Sequence, residues 1–174
     1  MFDTIFKRTS YRGLYKDFPV PREDLTLILK AGLAAPSGCN KQSTSLIAID
    51  DKEILKIIGE LLNRKNIVSA PALILVLSQK IIANGGRCYY KQDFSAAVQN
   101  MLLAICELGY ESCWLEGYVA DNAESCAKIT KLLGAPEDYE LSVILPVGMA
   151  DEELTYANKK SFEERAWFNG FRNS

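Results

Sequence analysis

Three short stretches of this 174-residue chain combine side chains that could bind a small anionic or aromatic ligand. The basic cluster, residues 8–12 (Arg-Thr-Ser-Tyr-Arg), has two guanidiniums and neighbouring hydroxyls that could surround a phosphate with charge-assisted hydrogen bonds. The loop cluster, residues 35–42 (Ala-Pro-Ser-Gly-Cys-Asn-Lys-Gln), offers donors and acceptors suited to a heteroaromatic ring edge or a phosphate. The glycine cluster, residues 114–118 (Trp-Leu-Glu-Gly-Tyr), would let backbone N–H groups approach a flat ligand closely. Taken singly, each has an ordinary alternative: a solvated basic N-terminus, a polar turn after a helix, and a turn after a strand.

The chain contains no histidine, which narrows the chemistry it could perform. Ser–His and Cys–His nucleophile pairs and His-ligated metals are excluded. The five cysteines are scattered and have no Cys-x-x-Cys spacing, so we expect neither a disulfide framework nor a metal site. If the protein is an enzyme, its chemistry should therefore reside in a bound cofactor or in carboxylates and lysines.

Positive charge is concentrated at the two ends of an otherwise acidic chain. The net charge is −2, yet residues 1–16 carry +3 and residues 157–174 carry +2, which leaves −7 between them. This distribution favours a small anion bound where the ends meet over nucleic acid, which requires a broad basic surface; solvated terminal charge is the alternative. Because no apolar run approaches the ~18 residues of a membrane span and the N-terminus is not a signal peptide, we expect a cytoplasmic protein without a membrane partner.

The hydrophobic patterns that must position these clusters predict a mixture of helices and strands. Helices are predicted over residues 21–35, 51–63 and 93–108, and a fourth begins with Asp121 and Glu124 in a capping box and ends near residue 134. Strands are predicted over residues 44–50, 71–78, 111–115 and 139–147, with 71–78 as the central strand because it is continuously apolar. We therefore expect a single α+β domain over residues 1–174, with a sheet sandwiched by helices.

The order of the motifs is more specific than any one cluster. R-x-S-x-R, A-P-S-x-x-N-x-Q, D-x-x-A-A-x-Q-N-M-L-L-A and L-G-Y-x-S-C-W follow one another along the chain, and the last predicted strand ends in Leu-Pro-Val-Gly at residues 145–148. With these motifs the chain resembles the nitroreductase family of FMN enzymes over nearly its whole length. The resemblance implies a nitroreductase-like α+β fold with a mixed, mostly antiparallel sheet. It also implies an intertwined homodimer, with residues 150–174 as a C-terminal arm reaching the partner subunit.

The resemblance also implies which residues would hold FMN. The phosphate and ribityl chain would be bound by Arg8, Thr9, Ser10 and Arg12. Residues expected to line the same flavin from the partner subunit are Pro36, Ser37, Gly38 and Asn40. Leu115, Glu116 and Gly117 would lie along the isoalloxazine, with backbone N–H groups near its N5 atom. A basic residue after the last strand usually completes the phosphate site in this family; Lys160 is the expected one and Lys159 is the alternative.

The activity implied by the resemblance is electron transfer from NADH or NADPH to a nitroaromatic, a quinone or a similar small acceptor, by a ping-pong mechanism. The flavin would carry the chemistry, so no catalytic side chain is expected beyond backbone groups at Glu116 and Gly117. The chain departs from the family at Ser43-Thr44, where members often have Pro-Trp, and in the short segment 79–90, where larger members build a substrate lid. These departures leave open a non-catalytic FMN-binding protein, and a flavin-free ligand-binding domain is a further alternative.

Overall fold

The computed structural model describes residues 2–171, so the end of the predicted C-terminal arm, residues 172–174, lies outside the described residues. A three-stranded sheet forms the centre of the molecule. Its strands are β1 (Thr44–Ile49), β2 (Ala72–Gln79) and β3 (Tyr139–Val147). They pair in the order β1-β2-β3, and both pairings are antiparallel. The continuously apolar strand is therefore central, as predicted, and its side chains are buried on both faces.

Helices cover both faces of this sheet. They are α1 (Phe2–Lys7), α2 (Arg22–Leu33), α3 (Lys52–Leu62), α4 (Lys65–Val68), α5 (Tyr90–Glu107), α6 (Gly117–Asp121) and α7 (Ala123–Leu132). Alternate side chains of β2 face α2 and α5 on one side, and α3, α4, α6 and α7 on the other. The predicted α+β class, with a sheet sandwiched by helices, is confirmed.

The two-residue periodicity of β3 is interrupted once. The pairing with β2 shifts by one residue at a β-bulge, and Ser142 is the residue left over. Leu141 and Ile144, which are three residues apart, consequently pack into the same core layer. The bulge therefore lets β3 direct apolar side chains into the core both before and after Ser142.

The predicted strand over residues 111–115 is wrong. Only the two ends of this segment are paired. Leu115 forms an isolated bridge with Ile144 of β3, and Glu111 forms one with Gly148, the residue after β3. In this register Cys113 lies opposite Pro146, which has no N–H to donate to a ladder. The segment therefore runs beside the sheet without becoming a strand.

Two predicted helix starts are also wrong. The last predicted helix was placed at Asp121, but Asp121 ends α6 and α7 begins at Ala123 without a side-chain cap. The Asn122 amide donates instead to the Tyr118 carbonyl at 2.8 Å, which joins α7 to α6. The longest helix, α5, begins three residues before Asp93, and Asp93 is buried within its first turn.

Candidate functional site

The basic cluster begins where α1 ends. The Arg8 N–H donates to the Thr4 carbonyl at 3.0 Å, which completes the last turn of α1. The buried Thr4 hydroxyl donates to the carboxylate of Glu107, the last residue of α5. These contacts fix the basic cluster beside the C-terminal end of the longest helix.

A cleft of about 440 Å³ separates the basic cluster from the first part of the arm. This basic cleft is lined by Phe6, Arg8, Thr9, Ser10, Arg12, Thr155, Tyr156, Ala157 and Lys159. The Thr9 hydroxyl donates to the Thr155 carbonyl at 2.7 Å and so joins the two walls. Lys159 lines the cleft, whereas the exposed Lys160, which was predicted to complete the phosphate site, does not.

The cations of the basic cleft are available to a ligand. Within residues 2–171 the four ion pairs involve none of Arg8, Arg12 and Lys159. Partial burial raises the pKa of Glu111, and the charge of nearby Arg8 opposes that shift. Guanidiniums without a paired carboxylate are suited to bidentate binding of a phosphate.

The glycine cluster lies close to the basic cluster. The Tyr11 N–H donates to the Ser112 carbonyl at 2.9 Å, two residues before the glycine cluster begins. Burial raises the pKa of the Cys113 thiol, while the positive charges of Arg12 and Arg64 oppose the shift. Arg64 also lies over the Tyr118 ring, with its guanidinium carbon 4.7 Å from the ring centroid. The structure therefore places Arg64, through its contact with Tyr118, against the glycine cluster.

Sequence reasoning missed Arg64. The residue follows Asn63, which ends α3 in a left-handed conformation (φ 46°), and a left-handed asparagine after an apolar helix is a recognisable turn signal. No sequence signal places the guanidinium over Tyr118, because the two residues are brought together only by tertiary packing.

Within the glycine cluster, Gly117 and Leu115 differ in what they can offer a ligand. Gly117 is exposed at the first position of α6, and a Cβ added there would have no atom within 4 Å. Leu115 is 4% exposed, and its main chain is paired with Ile144. The Glu116 carboxylate accepts a hydrogen bond from the Trp114 indole at 3.1 Å and borders a second cavity, of about 390 Å³, beside α7. Contacts of these three residues with a flavin stay predictions.

The loop cluster is held in a strained conformation by Asp93. Three of its residues that are not glycine, Cys39, Asn40 and Gln42, have φ values of 52°, 54° and 49°. One Asp93 carboxylate oxygen accepts from the Gly38 N–H at 2.7 Å, and the other accepts from the Ser43 hydroxyl at 2.5 Å. Asp93 therefore holds both ends of the strained segment.

The loop cluster and the basic cleft lie at opposite ends of α5. Asp93, in the first turn of α5, binds the loop cluster, and Glu107, its last residue, binds Thr4 next to the basic cluster. Fourteen residues separate these two acids, which corresponds to about 21 Å along a helix. None of the loop-cluster residues predicted to contact FMN lines the basic cleft.

Three other features bear on what the protein could bind. A larger cavity, of about 820 Å³, lies beside α3 and contains none of the predicted site residues; its Asp50 is already paired with Arg22. Residues 2–171 include no group of three or more acids or cysteines that could hold a metal ion. Over the same range no helix has the length and apolar character needed to cross a membrane.

The fold and the site together define an α+β protein with helices on both faces of an antiparallel sheet and a cationic cleft formed by both ends of the chain. Comparison with known proteins identifies the family. The family model described as "Nitroreductase family" matches residues 5–80 and 58–149, and the chain belongs to the nitroreductase family.

Individual relatives agree with this assignment. A protein of Archaeoglobus fulgidus, provisionally named NADH dehydrogenase/NAD(P)H nitroreductase, is 33% identical over 87% of this chain and 86% of its own length. The structure of an FMN-dependent nitroreductase from Clostridium difficile superposes with a TM-score of 0.79 at 31% identity, over 98% of this chain and 100% of that one. A provisionally named nitroreductase from Desulfovibrio desulfuricans, determined in complex with FMN, has a TM-score of 0.79 at 27% identity, over 98% and 97% of the two chains.

Proposed function

We propose that this protein is an FMN-dependent oxidoreductase that takes electrons from NADH or NADPH and passes them to a small acceptor such as a nitroaromatic or a quinone, by a ping-pong mechanism. The observation that carries the proposal is the basic cleft, whose cations have no carboxylate partner among the described residues. The names of the relatives support FMN as the cofactor and a nicotinamide donor.

The residues of the cleft fit the phosphate end of FMN. Arg8 and Arg12 would bind the phosphate oxygens, and Ser10 would add a hydroxyl donor. Lys159 is better placed than Lys160 to complete this site, because Lys159 lines the cleft. The Thr9 hydroxyl already donates to Thr155, so its part would be to hold the walls together.

The ring end of the cofactor would lie toward the glycine cluster. Helices begin with N–H groups that have no partner within the helix, and α6 begins at Gly117. The absence of a Cβ at Gly117 leaves space for a flat ring next to those N–H groups. When bound, FMN supplies reversible two-electron chemistry, while the protein supplies position, hydrogen bonds and access.

Binding of the phosphate is tested by titrating the full-length protein with FMN, followed by flavin fluorescence. Arg8→Ala should weaken binding about 10- to 100-fold, because a charge-assisted contact to phosphate contributes about 1.5–3 kcal/mol. Lys160→Ala should weaken it less, and Lys159→Ala should fall between the two. Equal losses for Arg8→Ala and Lys160→Ala would mean that the phosphate is held elsewhere.

Catalysis is tested by adding NADH or NADPH anaerobically to the yellow protein and following the flavin absorbance. Bleaching that reverses when a nitroaromatic or a quinone is added would support the oxidoreductase. A yellow protein that neither donor bleaches would be a non-catalytic flavin-binding protein. A colourless protein that takes up no FMN would contradict the proposal as a whole.

The complete flavin site would be formed by two subunits. Within one chain the loop cluster and the basic cleft are held at opposite ends of α5, by acids about 21 Å apart along the helix, which favours a loop cluster supplied by another chain if both contact the same flavin. Exposed apolar side chains on α1 and on the arm agree with a partner surface: Phe2 and Phe6 are 68% and 79% exposed, and Phe168 is 78% exposed. A homodimer with the arm reaching the partner is therefore part of the proposal.

Subunit mixing tests this arrangement. Arg8→Ala damages the basic cleft, and Asp93→Asn damages the support of the loop cluster. If each site takes one part from each chain, a mixed dimer has one intact site and one site with both defects. Random exchange of equal amounts makes about half of the dimers mixed, so the FMN capacity of intact sites should recover to about one quarter of the wild-type value. No recovery, with exchange verified by mass spectrometry, would place both parts of the site in a single subunit.

A further inference from the structure

The buried hydroxyl of Tyr11 joins the two ends of the chain. Tyr11 is 5% exposed, and its ring packs edge-on against Tyr15 with the centroids 5.1 Å apart. The hydroxyl accepts from the N–H of Asp151 at 3.2 Å and from the N–H of Glu152 at 3.1 Å, and it donates to the Leu14 carbonyl. A phenol has one donor and two acceptor positions, so all of its hydrogen-bonding capacity is used.

These bonds lie just behind the basic cleft. Tyr11 itself does not line the cleft, but Ser10 and Arg12 on either side of it do. Asp151 and Glu152 precede Thr155 and Lys159, which form the opposite wall. The hydroxyl therefore connects the two walls of the cleft without reaching the space between them.

The contact between Tyr11 and the start of the arm, which we call the joint, is tightly packed. A Cβ at Gly13 would lie 2.6 Å from the Tyr11 hydroxyl oxygen and 2.7 Å from a carboxylate oxygen of Glu152. The other Glu152 oxygen accepts from the Leu14 N–H at 3.0 Å. The close approach of two chain segments at this point, residues 11–14 and 151–152, leaves the start of the arm little freedom to move relative to the basic cluster.

We propose that Tyr11 is a positioning residue for phosphate recognition: its hydroxyl holds the arm so that groups from both walls of the basic cleft reach the same phosphate. The inference rests on the proposed function, because it assumes that the cleft binds the phosphate of FMN. Loss of the hydroxyl would let the arm shift, and donors on the two walls would no longer converge on one anion. The ring end of the flavin, which the cleft does not contact, would be unaffected.

The test compares two ligands that differ only in the phosphate. The full-length protein and its variants are titrated with FMN and, separately, with riboflavin. Tyr11→Phe keeps the buried ring and removes the hydroxyl; it should weaken FMN binding about five- to tenfold and change riboflavin binding less than about twofold. Tyr15→Phe is the matched control, because its buried hydroxyl donates to the Pro146 carbonyl and does not touch the arm. It should leave the ratio of FMN to riboflavin affinity unchanged.

A second variant covers the case in which Tyr11→Phe does not fold. Glu152→Ala removes an exposed carboxylate from the same joint, and it should reduce the affinity ratio in the same direction, by about threefold. An unchanged ratio of FMN to riboflavin affinity in Tyr11→Phe would overturn the inference. If Tyr11→Phe does not fold, an unchanged ratio in Glu152→Ala would do the same. An equal fall of the ratio in Tyr15→Phe would also overturn it. Failure of the proposed function gives a different result: the wild-type protein would then not prefer FMN to riboflavin at all.

Discussion

Asp93→Asn tests whether one buried carboxylate holds the strained loop cluster in place. Asp93 is 4% exposed and has no cationic partner among the described residues; its charge is stabilised by two donors and by the N-terminal end of α5. Hydrogen bonds to a charged group contribute about 1.5–3 kcal/mol each, so the two bonds together contribute about 3–6 kcal/mol. An asparagine side chain has the same shape, and its amide oxygen can still accept a hydrogen bond from one of the two donors.

We therefore expect Asp93→Asn to lower the free energy of unfolding by about 1.5–3 kcal/mol, about half of the combined contribution. Asp93→Ala should cost more, because it leaves the Ser43 hydroxyl, 2% exposed, without a partner. Relaxation of the loop should follow, since each residue held in the left-handed region costs about 1–2 kcal/mol.

Urea unfolding measures the change, with Asp17→Asn as the control. Asp17 is exposed and forms no hydrogen bond or ion pair among residues 2–171, so its variant should unfold like the wild type. If Asp93→Asn were as stable as this control, the desolvation of the carboxylate would cancel both hydrogen bonds. Asp93 would then not be what holds the loop.

Three further predictions concern the flavin, the arm and a buried acid. Glu116→Gln should keep most of the rate of flavin bleaching by NAD(P)H in stopped flow, whereas Gly117→Pro, which removes an N–H, should impair it severely. Loss of bleaching in Glu116→Gln with FMN still bound would make the carboxylate catalytic. Truncation after Ala150 should give insoluble or flavin-free protein, and a stable, yellow, monomeric product in sedimentation would contradict the role of the arm. Burial raises the pKa of Glu111 in the folded state, so ionised Glu111 should lower the free energy of unfolding as the pH rises through that pKa. Glu111→Gln should therefore be more stable than wild type at pH 7 and little different from it at pH 4. An equal effect at both pH values would refute this.

The sequence predicted elements well wherever burial alone decided the structure. Residues 71–78 were identified as the central strand because an uninterrupted apolar run is stable only with helices on both faces. The failure at residues 111–115 has a different cause. These residues have types suited to a strand, but Cys113 in their middle lies opposite Pro146, and a sequence pattern does not reveal which residues a segment will face. Strand pairing is a property of two segments, and hydrophobic periodicity reports on one.

In the candidate site, too, residue types were predictive and tertiary contacts were not visible in the sequence. The residue types of the basic cluster were sufficient to predict an anion site, and the structure places the cations of that cluster in a cleft. Two features depended on tertiary contacts and were missed or left open. One is Arg64, which lies over the Tyr118 ring, and the other is the choice between Lys159 and Lys160. The two lysines are neighbours in the chain, so position along the chain could not decide which of them lines the cleft.

If two chains complete the site as proposed, the stiffness of α5 limits how they can meet. An 18-residue helix cannot bend enough to bring its ends together, so each chain presents a cationic cleft at one end and a loop cluster at the other. If two such chains met with their α5 helices parallel, each cleft would face the other cleft, and two unpaired cationic regions would repel. A two-fold axis perpendicular to α5 would instead make the helices antiparallel and place each cleft beside the partner's loop cluster, and the symmetry would then form both sites at once. We therefore expect the exposed polar side chain near the middle of α5, Gln99, to lie closest to that axis.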